Sequence, residues 1–271
     1  MKIITNSRDI IKPMELDIFI PDKSLAIEYN GVYWHGEGTG TNKIYHKQKH
    51  DRCAEKNITL LQFWDYEWIY KQNIVKSLIQ SKLGTFATRI YARNCHVKTV
   101  PFKEKNEFIL NNHLQGCENS NLTYGLYHND ELMSVMCFGK RKITKASSEM
   151  EIIRFATKLN NQIIGGASKL LNHFERENNP QKLITYADKR YSNGNLYKTL
   201  GFTHSHDSTP NYWYTKANGV FEHRMKFQKH RLSKLFPDNF DPSLSEWQNM
   251  QNNGYDRIWD CGNIVFVKNY I

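Results

Sequence analysis

A chain of 271 residues can fold as one large domain or as two or three small ones, each with its own core. Its 39% hydrophobic and 24% charged residues are those of a globular protein, and a net charge of +10 points to a polyanionic partner, although a membrane surface or an acidic protein would also attract it. No apolar run approaches the ~18 residues that span a bilayer, Met1-Lys2-Ile3-Ile4-Thr5 has no signal-peptide core, and Cys53, Cys95, Cys117, Cys137 and Cys261 form no Cys-x-x-Cys pair, so a membrane protein, a secreted disulfide scaffold and a zinc knuckle are set aside and a cytoplasmic chain with free thiols is expected.

Taken in chain order, residues 1–83 open with a strand, Glu15-Leu-Asp-Ile-Phe-Ile20, and a second, Ser24-Leu-Ala-Ile-Glu-Tyr-Asn30, joined by about four turn residues as a hairpin. A Gly/Thr/Asn-rich loop covers 36–42, a polar helix runs from about Ile44 to Lys56, an apolar strand covers 58–64, and a helix runs from about Trp68 to Leu83. The order β-β-α-β-α describes a small α/β sandwich. Residues 84–221 start a second set. It holds a strand pair at 122–127 and 132–139, a strand at 150–156, a helix from Gly165-Gly166 to about Glu177, and a strand at 182–187. Residues 222–271 read as a small basic module. It opens on His223-Arg-Met-Lys-Phe-Gln-Lys-His-Arg-Leu-Ser-Lys234 and closes on a strand pair around Arg257–Asp260 and Asn263–Val267.

Asp17 and Glu28 are the unusual residues of the first hairpin. Each lies in an otherwise apolar strand, where a carboxylate is costly unless it binds something. With a four-residue turn they fall opposite one another, as a divalent metal site for phosphodiester hydrolysis requires. The alternative is an edge hairpin with both acids in solvent.

The Asp-x10-Glu-x-Asn spacing resembles the PD-(D/E)xK nuclease core, with Asn30 where that family usually has Lys. Ala26-Ile-Glu-Tyr-Asn-Gly-Val-Tyr-Trp-His35 resembles the signature of the very-short-patch repair (Vsr) endonucleases and their phage EDxHD homing relatives. Tyr45-His-Lys-Gln-Lys-His-Asp-Arg-Cys53 and Ile58–Trp68 continue that pattern. The resemblance implies a Mg2+ (or Mn2+)-dependent endonuclease acting on double-stranded DNA, as a single chain or a homodimer. It implies metal ligation by Asp17 together with either Glu28 or the Tyr29 carbonyl, and a proton-handling His35. Glu15 matches the leading acid of the pattern, with solvated pairing to Lys12 as the alternative, and Asp51 matches its last acid. His46 and Lys49 lie on one helix and either face the phosphate together or form a wet surface. Trp34 reads as core packing, with a platform against a base as the alternative.

Gln162-Ile-Ile-Gly165-Gly166-Ala167-Ser168 opens a helix after a strand, so its amides can cradle a pyrophosphate. This run is similar to the acyl-coenzyme A loop of the GNAT acyltransferase fold, and Asn193-Gly-Asn-Leu-Tyr-Lys-Thr-Leu-Gly-Phe202 is similar to that fold's later helix and strand. Acetyl-coenzyme A is accordingly the alternative ligand, and acyl transfer to DNA or protein, or non-catalytic DNA binding, the alternative function. Arg89, Arg93, Lys140, Arg141, Lys142 and Lys145 are candidate phosphate contacts. So are Arg224, Lys226, Lys229, Arg231 and Lys234 if their run is a helix, with Met225, Phe227 and Leu232 anchoring its other side.

Overall fold

A computed structural model describes residues 1–140, 149–216 and 221–270. The expected phosphate contacts Arg141, Lys142 and Lys145 therefore lie outside the described residues. The first elements are strands β1 (Ile4–Ile11), β2 (Met14–Ile20) and β3 (Leu25–Asn30), helix α1 (Tyr45–Glu55), strand β4 (Thr59–Trp64) and helix α2 (Asp65–Leu83). They form a mixed four-stranded sheet in the order β1-β2-β3-β4. The expected hairpin is present: Ile18 faces Ile27 and Ile20 faces Leu25, and β3 then runs parallel to β4 from Leu25↔Thr59 to Asn30↔Trp64. A parallel neighbour must be covered, and Leu60, Leu61, Phe63 and Trp64 of β4 are all buried. Leu16, Ala26, Cys53 and Leu60 lie in one core cluster. Strand β1 extends the sheet at a side where no strand was expected. Helix α2 is interrupted by non-helical backbone at Lys71.

The chain continues with β5 (Thr88–Tyr91), β6 (His96–Thr99), α3 (Phe102–Asn112), β7 (Leu122–His128), β8 (Glu131–Lys140), β9 (Glu149–Thr157), β10 (Asn161–Ile164), α4 (Gly166–Asn178), β11 (Lys182–Asp188), α5 (Asn195–Thr199) and β12 (Thr203–Asp207). Leu170, Leu171 and Phe174 recur at helical spacing on one face of α4, and all are buried. Phe174 stacks on Phe138 of β8 with ring centres 3.7 Å apart.

The last elements are β13 (Tyr212–Thr215), β14 (Phe221–His223), α6 (Lys229–Leu235), α7 (Glu246–Asn252), β15 (Asp256–Trp259) and β16 (Asn263–Asn269). Strands β15 and β16 are not partners of one another. β15 pairs with β13, whereas β16 inserts between β11 and β12 in a seven-stranded sheet of order β12-β16-β11-β9-β8-β7-β6. The chain accordingly divides into two compact units, neither contiguous in sequence. One comprises Met1–Tyr70, Lys189–Tyr191 and Thr209–Gly262, and the other Lys71–Asp188, Ser192–Ser208 and Asn263–Ile271. Of the stretch expected as a basic C-terminal module, residues 222–262 fall in the first unit and 263–271 in the second, whose larger sheet β16 completes. Each unit is α/β.

Candidate functional site

The larger sheet is antiparallel except at one joint. β9 and β11 run parallel, and their ladder extends only from Glu149↔Lys182 to Ile152↔Thr185. Beyond that rung β9 runs on to Thr157 and β11 to Asp188 with no pairing between them, so the two strands part. Thr185 Oγ1 donates to the Ile152 carbonyl at 3.3 Å at the last shared rung. The phenol of Tyr197, on α5, hydrogen-bonds Thr185; burial raises its pKa against the lowering effects of that bond and of Arg154, which keeps the ring protonated at neutral pH.

Gly165 caps the start of α4 with φ +77°, a left-handed conformation that glycine adopts without strain. The first-turn amides of Gly166, Ala167 and Ser168 have no partner inside the helix, and that turn carries no acidic residue. A cleft of about 910 Å³ borders Gly165 and is lined by Arg93, Lys169 and Arg176 among others. The Lys169 ammonium donates to the carbonyls of Ala92 (2.9 Å) and Cys95 (2.6 Å), which fixes a positive charge beside the helix start. Gln162 lies in β10, where it faces Arg89 of β5 in a parallel ladder. Helix dipole, free amides and cations suit a polyanion here. The sequence reading found the Gly165–Ala167 turn but missed Lys169, Arg176, Thr185 and Tyr197. Tyr197 sat in the run that carried the resemblance, whereas the parting of β9 and β11 left no local signal.

In the other unit the hairpin brings Asp17, Glu28, His35, His46 and Lys49 together. Glu28 is 1% exposed; one carboxylate oxygen accepts the Asp17 N–H at 3.1 Å and the other pairs with the buried Lys49 ammonium. Burial pushes its pKa up to about 7 in spite of Lys49. The Asp17 carboxylate accepts the Tyr29 N–H at 2.8 Å. His46 Nε2 and His35 Nδ1 are 3.1 Å apart. Burial lowers the pKa of both, that of His46 to about 3. The Asn30 amide and the Trp64 indole N–H are buried with no hydrogen-bond partner among the described residues, while His46 hydrogen-bonds the Trp259 backbone.

Other expected members stand apart. Glu15 pairs with Arg8 at 2.7 Å, while Lys12 pairs with Asp9. Asp51 pairs with Lys47 and with His50 Nδ1 at 3.2 Å. Trp34 is 74% exposed and so is not core. Among the described residues no three His, Cys, Asp or Glu side chains are grouped to hold a metal ion. The expected metal site at Asp17, Glu28 and Tyr29 is thereby corrected: the Glu28 oxygens are taken by Lys49 and the Asp17 amide, and the Asp17 carboxylate is turned onto the Tyr29 amide.

The cation run 224–234 is not one helix. A short 3-10 turn over Arg224–Phe227 ends at extended Gln228, and α6 follows. Phe227 and Leu232 are buried but Met225 is 47% exposed. Lys226 pairs with Glu222, Lys229 donates to the Pro242 carbonyl (2.9 Å), and Arg231 donates to the Met225 carbonyl (3.1 Å). Arg224 lies over the Tyr212 ring, Arg89 over Phe86 and Arg93 over Tyr91. Lys140 and Lys234 are exposed. No helix among the described residues is long and apolar enough to cross a membrane.

No protein-family model matches the chain, and no curated protein matches it. Solved structures that resemble it are acetyltransferases. The Bacillus subtilis acetyltransferase in complex with coenzyme A shares 15% identity, covering 65% of this chain and 99% of that one, with a TM-score of 0.37. A GNAT family acetyltransferase from Elizabethkingia anophelis with acetyl-coenzyme A bound shares 14%, with the same coverage and TM-score. The PaiA N-acetyltransferase from Thermoplasma acidophilum in complex with coenzyme A shares 12%, covering 55% of this chain and 60% of that one, with a TM-score of 0.30. The expectation of a Mg2+- or Mn2+-dependent DNA endonuclease is corrected by the engagement of both carboxylates, Asp17 by the Tyr29 amide and Glu28 by Lys49 and the Asp17 amide, and by the lack among the described residues of three grouped His, Cys, Asp or Glu side chains. The Vsr-like head has no support in either finding.

Proposed function

We propose that the larger unit is an acyl-coenzyme A-dependent acyltransferase of the GNAT type. The observation that carries this reading is the parting of β9 and β11 beyond Ile152↔Thr185, in the same unit as the Gly165 turn that opens α4. Two parallel strands that separate open a slot edged by backbone N–H and C=O groups. Such groups pair with an extended amide-bearing chain like the pantetheine arm. The α4 amides, with Arg93, Lys169 and Arg176, take the pyrophosphate and phosphate of the same molecule.

In the reaction an amine attacks the thioester carbonyl, a C–N bond forms, the C–S bond breaks, the nitrogen's proton passes to water, and the leaving thiolate takes up a proton that water afterwards returns to its donor. Tyr197, protonated and held by Thr185, is the group positioned to give a proton to the departing thiolate. What accepts the acyl group is an amine.

The test is calorimetric titration of the full chain with acetyl-coenzyme A. Binding is expected, weakened at least about tenfold by Gly165→Glu, which forces a side chain into left-handed backbone and puts a carboxylate at the anion site. Tyr197→Phe is expected to leave that affinity unchanged while slowing thiol release on amine substrates by about a hundredfold. No heat of binding with the wild-type chain would overturn the reading.

A further inference from the structure

The unit that does not contain the proposed acyl-transfer slot has its own pocket, of about 660 Å³. Its wall is made of rings. Tyr66 stacks on Phe221 with ring centres 5.0 Å apart, and Trp247 and Tyr255 line it from the C-terminal segment. Tyr33 and Tyr70, 65% and 64% exposed, stand among its lining.

Two carboxylates share this wall, and neither has a lysine or arginine partner among the described residues. Asp65 accepts only backbone amides, from Val32 (3.0 Å) and Tyr66 (2.7 Å). Asp256 accepts the amides of Gly38 (2.9 Å) and Arg257 (2.7 Å). In a chain of net charge +10, two carboxylates left without a cation among ring faces make a local site for positive charge. A ring face attracts a cation through its quadrupole, and the carboxylates add a Coulomb term that the low dielectric of a pocket strengthens. Two rings of the wall already show the interaction: the Lys216 ammonium, also on the pocket wall, sits 4.2 Å from the centre of the Tyr255 ring, and the Arg257 guanidinium lies 4.4 Å from that of Trp247.

We propose that this pocket binds an organic cation, a methylated or primary ammonium group carried by a small molecule or a side chain, caged by the rings and neutralised by Asp65 and Asp256. Lys216 is then an internal competitor at one edge. The proposal is independent of the acyl-transfer reading.

The experiment titrates the full chain, by calorimetry and by tryptophan fluorescence, with choline, with choline's uncharged tert-butyl isostere, and with adenosine monophosphate. Choline is expected to bind at least about tenfold more tightly than the isostere, which matches it in shape but not in charge. Asp65→Asn is expected to weaken choline about tenfold. Tyr70→Leu, at an exposed position that leaves folding intact, is expected to weaken it several-fold, and Lys216→Ala to tighten it. Equal affinity for choline and the isostere would overturn the proposal, since the pocket would then read only apolar shape. Binding of adenosine monophosphate with no response to choline would overturn it in favour of a flat heterocycle, and in that case Lys216→Ala would weaken binding instead.

Discussion

His46 lies wholly inside its unit, against His35 and the Trp64 ring, and burial holds its imidazole neutral down to about pH 3. An unfolded histidine takes up its proton near pH 6.5. A folded pKa below the unfolded one contributes stability that is complete above pH 6.5 and is lost as pH falls toward the folded value. His35 and His50 of the same unit are shifted in the same direction, chiefly by burial. Glu28 opposes them: its pKa, raised from 4.5 to about 7, contributes stability that is complete below about pH 4.5 and is lost as pH rises through 7. With His223, likewise lowered by burial, four histidines of this unit against one carboxyl leave a net loss on acidification, up to about 1.4 kcal/mol per pH unit for each uncompensated group. The urea midpoint is therefore expected to fall between pH 7.5 and pH 5, with a shallower fall in His46→Gln. A midpoint that stays level over that range would contradict the buried, neutral state of these rings. Of this cluster, the Asp17–Glu28 pairing could be read from the spacing of two acids in a hairpin with a four-residue turn. The closure of Glu28 by Lys49 could not, because a lysine on a polar helix of alternating charges carries no mark of burial.

Among the elements, α5 depends on Gly194. It caps the helix with φ +72°, and a β-carbon there would stand 2.4 Å from two ring carbons of Phe266 on β16. Phe266 is fully buried, so the ring has little room to yield. Gly194→Ala is expected to cost about 2–4 kcal/mol, the sum of left-handed backbone strain and overpacking, read as a lowered denaturant midpoint with an unchanged slope. The same strand marks the limit of reading elements from sequence. Strands β2, β3, β4, β7, β8, β9 and β11 announced themselves by apolar alternation or runs bounded by turn residues, and α4 by its glycines and its Leu170, Leu171, Phe174 face. Strands β15 and β16 were recognised too, but their nearness in sequence suggested a pair. Their partners are fixed by tertiary packing: β15 takes β13, and β16 takes β11 and β12. Short β5, β6 and β10 have no periodicity long enough to detect. The Arg224–Lys234 run looked amphipathic as one helix, yet Gln228, at φ −55° and ψ 139°, breaks it in two.

At the scale of the whole chain, the interleaving of the two units has a consequence for truncation. β16 contributes Val265 and Phe266 to the interior of the seven-stranded sheet and pairs with β11 along seven residues, from Lys182↔Asn269 to Asp188↔Asn263. A fragment cut at the boundaries composition suggests, residues 84–221, keeps β6 to β12 but loses this strand. β11 would then present a bare edge, β12 would have no partner, and the Phe202, Leu200 and Ala187 side chains that cluster with Phe266 would lose that ring. Burying an aromatic side chain of this kind is worth about 3–5 kcal/mol by truncation, a large share of the stability of a small domain. The fragment is expected to be aggregated or protease-sensitive, whereas the full chain gives a cooperative unfolding transition. A chain of residues 71–208 joined to 263–271 through a flexible Gly/Ser linker holds every segment of this unit, together with 189–191 of the other, restores the strand between its two neighbours and is expected to restore cooperative unfolding. If the 84–221 fragment instead unfolds cooperatively with the same midpoint as the full chain, the seven-stranded order is wrong at its centre, and the C-terminal segment is the separate module its basic composition first suggested.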